Sequence, residues 1–192
     1  PVPKLYASTP VTFNIFSTFF FVILYISIYS STVNKLENEL RNMAEKDPLT
    51  GLYNRRKMMG MLEQIIVPSC DKKILLAMFD VDYFKNVNDS YGHGAGDEVL
   101  RKLAMLLKNH HTNLSEYSVC RWGGEEFLLV FKGISEDTAK YILEGMLEEI
   151  REMEVVDDDN IIKVTMTFGL VEKTDDIPAE EIINKADELL YY

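Results

Sequence analysis

Two acidic segments hold the residues whose types and spacing could do chemistry. In the first, Arg121-Trp122-Gly123-Gly124-Glu125-Glu126-Phe127, two consecutive glutamates follow a glycine pair, with the apolar runs Tyr117-Ser118-Val119-Cys120 before it and Phe127-Leu128-Leu129-Val130-Phe131 after it. In the second, Ile74-Leu75-Leu76-Ala77-Met78-Phe79 leads into Asp80-Val81-Asp82. Neighbouring carboxylates repel one another, so an arrangement of this kind makes most sense when a cation neutralises it. Mg2+ takes hard oxygen ligands and is commonly held by one or two carboxylates together with the phosphates of a substrate. One strand-end aspartate and one hairpin glutamate would suffice. A solvated acidic turn would account for Glu125 and Glu126 alone, but not for a second acidic segment delivered by an apolar run.

The elements that must position these groups can be read from local pattern. A continuous apolar run ending in Asp-Val-Asp predicts a fully buried strand with carboxylates at its carboxyl end, and alternation puts Asp80 and Asp82 on one face. Two apolar runs meeting at Gly123-Gly124 predict a tight hairpin with positive φ at both central glycines. Asn54 to Val67 reads as a first helix with Asn54 as N-cap. Lys73 to Val81 is the first core strand, Tyr83 to Tyr91 a short turn, and Gly94 to Asn109 an amphipathic helix. Ser135 to Met153 is a further helix, and Asp157-Asp158-Asp159-Asn160 a loop rather than a metal site. Ile161 to Val171 alternates as one strand, and Ala179 to Tyr192 begins a last helix. The predicted fold is α+β: a ferredoxin-like core with a mixed central sheet and helices on one face.

The formal net charge of -11 over 192 residues argues against a nucleic-acid-binding surface, which would present a basic face to phosphates. Cys70 and Cys120 stand in unrelated contexts and suggest neither a disulfide framework nor zinc spacing; Cys120 reads as a small core residue. Residues 5–34 carry no charge, and 13–29 are dense in Phe, Ile, Leu, Tyr and Val. A stretch of that length can cross the roughly 30 Å hydrocarbon layer as one helix. Only Lys4 precedes it, whereas Lys35, Arg41, Lys46, Arg55, Arg56 and Lys57 follow, which places the carboxyl side in the cytoplasm of a single-span plasma-membrane protein. Val33, Leu36, Leu40 and Met43 form a short a/d seam, either a coiled coil or a lone amphipathic connector. The expected layout is an extracytoplasmic remnant at 1–10, a membrane helix at 11–30, a helical linker at 31–46 and one folded domain at 47–192. Because the chain opens on Pro1, a preceding sensory part is expected.

Four segments together bear a resemblance. Asp47-Pro48-Leu49-Thr50-Gly51-Leu52-Tyr53-Asn54-Arg55, the Asp-x-Asp-x-Phe-Lys-x-x-Asn-Asp run at 80–89, Gly92-His93 with Gly96-Asp97, and the hairpin itself resemble the GGDEF family of diguanylate cyclases, with Gly-Gly-Glu-Glu-Phe as the variant. The resemblance implies a fold similar to the palm of nucleotidyl cyclases and polymerases. It also implies condensation of two GTP into cyclic di-GMP with release of pyrophosphate. Asp80, the Val81 carbonyl and Glu125 match the metal ligands for Mg2+, with Mn2+ as a substitute, and Glu125 also matches the general base. Asn88 and Asp97 match the guanine readers; a carboxylate at 97 suits the two donors on that edge of guanine and would be left unpaired by adenine. Phe84 and Lys85 match the loop holding the β- and γ-phosphates. His93 matches the position beside the ribose, with a turn-capping histidine as the equal alternative. Gly123 and Gly124 let backbone approach the nucleotide, and Asp82, Arg121 and Glu126 are supporting residues. Since each subunit presents one GTP, a homodimer is implied, and downstream receptors would read the product.

The family's final helix continues past Ala-Asp-x-x-Leu-Tyr into a lysine and an arginine that clamp the triphosphate; here Tyr191 of that motif is followed only by Tyr192, which suggests truncation. The Arg-x-x-Asp pair of a family inhibitory product site aligns with Leu114 and Tyr117, which can supply neither a guanidinium fork nor a charge, and Glu116 is one residue out of register, so no inhibitory product site is expected. Two rival functions stand beside catalysis: a catalytically silent GGDEF module that binds GTP or a partner, and a membrane signalling adaptor dominated by the helical connector.

Overall fold

The computed structural model describes residues 9–65, 73–110, 117–157, 160–173 and 177–191. Cys70, Leu114, Glu116, Asp158 and Asp159 lie outside the described residues. The chain divides into two compact units, Pro1–Ala44 and Glu45–Tyr192.

The first unit is carried by helix α1 (Thr9–Glu45), which runs without a break through the stretch expected to be a separate linker. Its part Ser17–Glu45 is long and apolar enough to cross a membrane by length and composition. Phe19, Phe20, Phe21, Tyr25 and Ile26 are exposed there, as side chains facing lipid would be, and the Thr32 hydroxyl returns its proton to the Ile28 carbonyl at 2.9 Å. Of the a/d seam, Leu36, Leu40 and Met43 are also exposed. The helix stops at Glu45, just before Asp47-Pro48, where proline disfavours a helical conformation for the residue ahead of it.

The second unit follows the order β1 (Tyr53–Asn54), α2 (Arg55–Ile65), β2 (Ile74–Val81), α3 (Phe84–Asn109), β3 (Tyr117–Gly123), β4 (Glu126–Lys132), α4 (Glu136–Glu152), β5 (Val155–Asp157), β6 (Asn160–Ile162), β7 (Met166–Glu172) and α5 (Ala179–Glu188), closed by a 3-10 turn at Leu189–Tyr191. The main sheet has the order β1-β3-β4-β2-β7, with β1 parallel to β3 and the other pairs antiparallel, so it is mixed as expected. Asn54 caps α2 by accepting the Lys57 N–H at 2.9 Å, and Ser135 caps α4 by accepting that of Thr138 at 3.2 Å.

Helices cover both faces of the sheet rather than one. Leu75, Ala77, Phe79 and Val81 of β2 share a core with Leu100 and Leu103 of α3 and Leu143 and Met146 of α4. The intervening Ile74, Leu76 and Met78 share a second core with Met58 and Leu62 of α2 and Ile182 and Ala186 of α5. The physical reason was already in the strand, because an apolar run without alternation has no face to offer water. On the second face, Gly169 of β7 meets the Ala186 carbonyl so closely that a Cβ there would collide with it, which brings the end of α5 hard onto the sheet.

Three other expectations need correction. Residues 84–91, read as a turn, are helical: α3 is two helical stretches joined across a kink at Gly92, whose φ of 86° a side chain would resist. The strand expected over 161–171 is two strands; β6 pairs with β5 as a separate hairpin, and β7 joins the main sheet. Neither Gly123 nor Gly124 has positive φ, because the hairpin tip is Gly124-Glu125 and a register shift between Arg121 and Gly123 takes up the twist at Trp122. Cys120 is fully buried, and burial pushes its thiol up to about 12, so it is the core residue expected.

Candidate active site

β2 delivers Asp80 at its carboxyl end, half-buried, with Glu126 of β4 opposite it on one side and Thr167 of β7 on the other. Glu125 projects from the neighbouring hairpin tip. Burial first, and then the negative charges of Glu125, Glu126, Asp82 and Asp187, push the Asp80 carboxyl up to about 6. Glu126 is pushed up by burial and by Asp187 and Glu125, with Arg55 pulling the other way. The last helix thus contributes Asp187 to the electrostatics of a strand end far from it in sequence.

A hard divalent cation fits this donor set. The oxygens are carboxylates and strand-end carbonyls, with no sulfur or imidazole, and their mutual repulsion is what a 2+ ion removes. Among the described residues no three His, Cys, Asp or Glu side chains form a complete metal cage, so water or substrate oxygens would finish the coordination. Asp80, the Val81 carbonyl and Glu125 would hold it. Gly124 has open space where a Cβ would stand, and the Cβ position of Gly123 lies 3.1 Å from a Glu126 oxygen, so bare backbone lines the approach to the carboxylates.

Asp82, expected on the same face in a supporting role, has its carboxylate engaged by two threonine hydroxyls, that of Thr165 just before β7 and that of Thr167 within it. Arg121 does not face the carboxylates. Its guanidinium donates twice to the Gly124 carbonyl, at 3.0 and 2.8 Å, and reaches Asp47 at 3.3 Å, tying the hairpin tip to the Asp47-Pro48 turn. Burial raises the Asp47 carboxyl, but its bonds to the Thr50 hydroxyl and N–H and the charge of Arg121 outweigh that and leave it below the ordinary range. Arg55 stacks its guanidinium 4.4 Å from the centre of the Trp122 ring, beside the bulge.

The remaining expected residues lie along α3. Phe84 is buried in the first core, so only its backbone can meet a phosphate; Lys85 is exposed. Tyr83, the N-cap, makes no side-chain hydrogen bond to the helix, which leaves the leading N–H groups directed out of its end. Across the kink the Asn88 side chain lies against Gly96, the residue before Asp97, so tightly that a Cβ at 96 would run into its amide oxygen. His93 is exposed beyond the kink. At the position aligned with the family's inhibitory aspartate, Tyr117 is a structural residue whose hydroxyl donates to the Leu107 carbonyl at 2.6 Å.

Sequence reasoning overlooked Asp187, Arg55, Thr165 and Thr167. Asp187 sits inside the Ala-Asp-x-x-Leu-Tyr motif and Arg55 inside the opening signature, which was the available signal for both; the threonines sit in an ordinary alternating strand, and nothing local marked them.

A mixed sheet with helices on both faces, an aspartate at the end of the interior strand β2 and a carboxylate hairpin beside it define a nucleotidyl-cyclase-like domain. The family model described as diguanylate cyclase, GGDEF domain, matches residues 44–192, and the chain belongs to that family. It is 33% identical over 166 residues to diguanylate cyclase VdcA of Vibrio cholerae, covering 83% of this chain and 48% of that protein. To diguanylate cyclase A of Treponema denticola it is 32% identical over 160 residues, covering 80% and 43%. An uncharacterized membrane protein of Staphylococcus aureus is 32% identical over 168 residues, covering 85% and 46%. The chain therefore spans about half the length of these relatives. Among solved structures, diguanylate cyclase SiaD of Pseudomonas aeruginosa, in complex with its activator SiaC, superposes with a TM-score of 0.74 at 30% identity over 95% of this chain and 70% of that one. The GGDEF domain of DgcB from Caulobacter crescentus, in complex with c-di-GMP, gives 0.73 at 27% identity over 77% and 88%.

Proposed function

We propose that this chain is the catalytic part of a membrane-anchored diguanylate cyclase that condenses two GTP into cyclic di-GMP and releases two pyrophosphates. The observation that carries the reading is the meeting of Asp80 with the hairpin carboxylates, on a sheet whose relatives include named diguanylate cyclases. In each half-reaction a 3′-oxygen bonds to the α-phosphorus of the other GTP, the bond from that phosphorus to the pyrophosphate oxygen breaks, and the hydroxyl proton must go to a base. Glu125 takes that proton. Bound Mg2+, or Mn2+ in its place, would neutralise phosphate charge and favour the attacking alkoxide. Asn88 and Asp97 hold guanine, His93 lies beside the ribose, the backbone of Phe84 and Lys85 meets the β- and γ-phosphates, and Gly123 and Gly124 admit the nucleotide to the hairpin. Asp82, Arg121 and Glu126 support the site, with Arg121 bracing the Gly124 carbonyl.

One subunit supplies one GTP, so turnover needs a homodimer, and the exposed Leu36, Leu40 and Met43 seam is suited to bring two copies together. Residues 11–30 form the single membrane span, 31–46 the linker and 47–192 the cytoplasmic catalytic domain. The positive charges after the span and the name of the staphylococcal relative support that placement. The test is incubation of the purified chain with labelled GTP and Mg2+, with products identified by mass. Cyclic di-GMP with two pyrophosphates per product is expected; GTP bound but returned unchanged would replace this reading with a silent binding module.

A further inference from the structure

The two aspartates of Asp80-Val81-Asp82 are not equivalent. Asp80 is crowded by carboxylates, whereas each oxygen of Asp82 accepts a hydroxyl: Oδ2 from Thr165 Oγ1 at 2.5 Å and Oδ1 from Thr167 Oγ1 at 2.8 Å. The Asp82 N–H also donates to the Thr165 carbonyl at 3.0 Å, so one residue is tied at three points to Thr165, just ahead of β7, and Thr167 within it. Thr167 is the ladder partner of Asp80 itself, and Met166 of Val81, so the threonines alternate onto the face that carries both aspartates. Immediately after Asp82 the chain turns through Tyr83 at φ 55°, a left-handed conformation unfavourable for a residue with a bulky side chain, before α3 starts at Phe84. Hydrogen bonds to an ionised acceptor are about twice as strong as neutral ones, which suits them to holding a strained turn at a half-exposed edge.

We propose that Asp82 is a positioning residue: with Thr165 and Thr167 it forms a carboxylate–hydroxyl clasp that fixes the Asp80–Val81 strand end and the Tyr83 turn in cation-binding geometry without ligating the cation. The idea rests on the cation reading of Asp80 given above. It accounts for an Asp-x-Asp spacing in which only the first carboxylate faces the hairpin glutamates unengaged, and it gives a task to two threonines that no motif marks. Partners that orient a metal ligand from behind typically change metal affinity by about tenfold to a hundredfold when removed.

The experiment uses the full chain without nucleotide and reads Mn2+ affinity by electron paramagnetic resonance, together with amide hydrogen exchange at residues 82–85. Thr165→Val with Thr167→Val should weaken Mn2+ binding by about tenfold or more and speed exchange at the Asp82 amide, which the Thr165 carbonyl holds, while Thr165→Ser with Thr167→Ser should stay within about twofold of the parent. Asp82→Asn should do no more harm than the valine pair. The clasp is refuted if the valine pair leaves affinity and exchange as in the parent. It is equally refuted if Asp82→Asn weakens Mn2+ binding by about tenfold beyond the valine pair, since Asp82 would then bind the ion itself. A parent chain that binds no Mn2+ overturns this proposal, whereas one that binds Mn2+ and makes no cyclic di-GMP overturns only the proposed reaction.

Discussion

Along the single strand β2, the stretch from Ile74 to Phe79 and the end at Asp80 present opposite environments. Every side chain of the first is buried among apolar partners supplied by helices on both faces of the sheet. At the second, a half-buried carboxylate stands among four others and is pushed up to about 6. The interior stabilises the fold, and the pole holds an arrangement that the fold by itself disfavours. Such an arrangement persists because the surrounding structure over-determines it, through the ladder to β4, the ladder to β7 and the anchored turn after Asp82.

Breaking the comparison at either side should therefore give opposite signatures. Phe79→Ala removes a fully buried ring and should cost roughly 3–5 kcal/mol of stability, read from urea unfolding. Glu125→Gln changes a group at a hairpin tip and should leave the unfolding midpoint in place. It should lower kcat by about a hundredfold or more, the loss expected on removing a positioned general base. Retention of more than about a tenth of kcat, under about 1.4 kcal/mol of barrier, would exclude Glu125 from the chemistry.

A smaller effect sharpens the contrast. With a folded value of about 6 against the ordinary 3.8, Asp80 favours the fold while protonated, and that contribution is lost as pH rises through about 6. Asp80→Asn should thus raise the melting temperature of the metal-free protein at pH 7 and make no difference at a pH below 3.8, a gap that a scan of melting temperature against pH would display. If the variant instead melted lower at neutral pH, the crowding at the pole would be stabilising and the contrast false.

What could be read from the sequence divides along the same line. Residues close in the chain, such as the hairpin glutamates and Asp80 with Asp82, were legible as groups because each motif is a local unit. The apolar run of β2 also announces burial on both faces, which an arrangement with helices on one face would leave half uncovered. Asp187, Arg55 and the two threonines were not legible, since they join the site through register and helix packing. The Thr167–Asp80 pairing depends on the β2–β7 alignment, and the approach of Asp187 depends on Gly169 admitting the Ala186 carbonyl. The glycine pair was misread in its conformation because a bulge at Trp122 did the work assigned to positive φ.

The central claim is that Asp80 and the hairpin carboxylates form a cation site, and Mn2+ binding to the nucleotide-free chain as a function of pH tests it most directly. Protons and the cation compete for Asp80, so affinity should be greatest well above pH 6 and fall as pH drops through about 6, with Asp80→Asn weak at every pH. Affinity that stays level across that range, or that survives Asp80→Asn unchanged, would contradict the account.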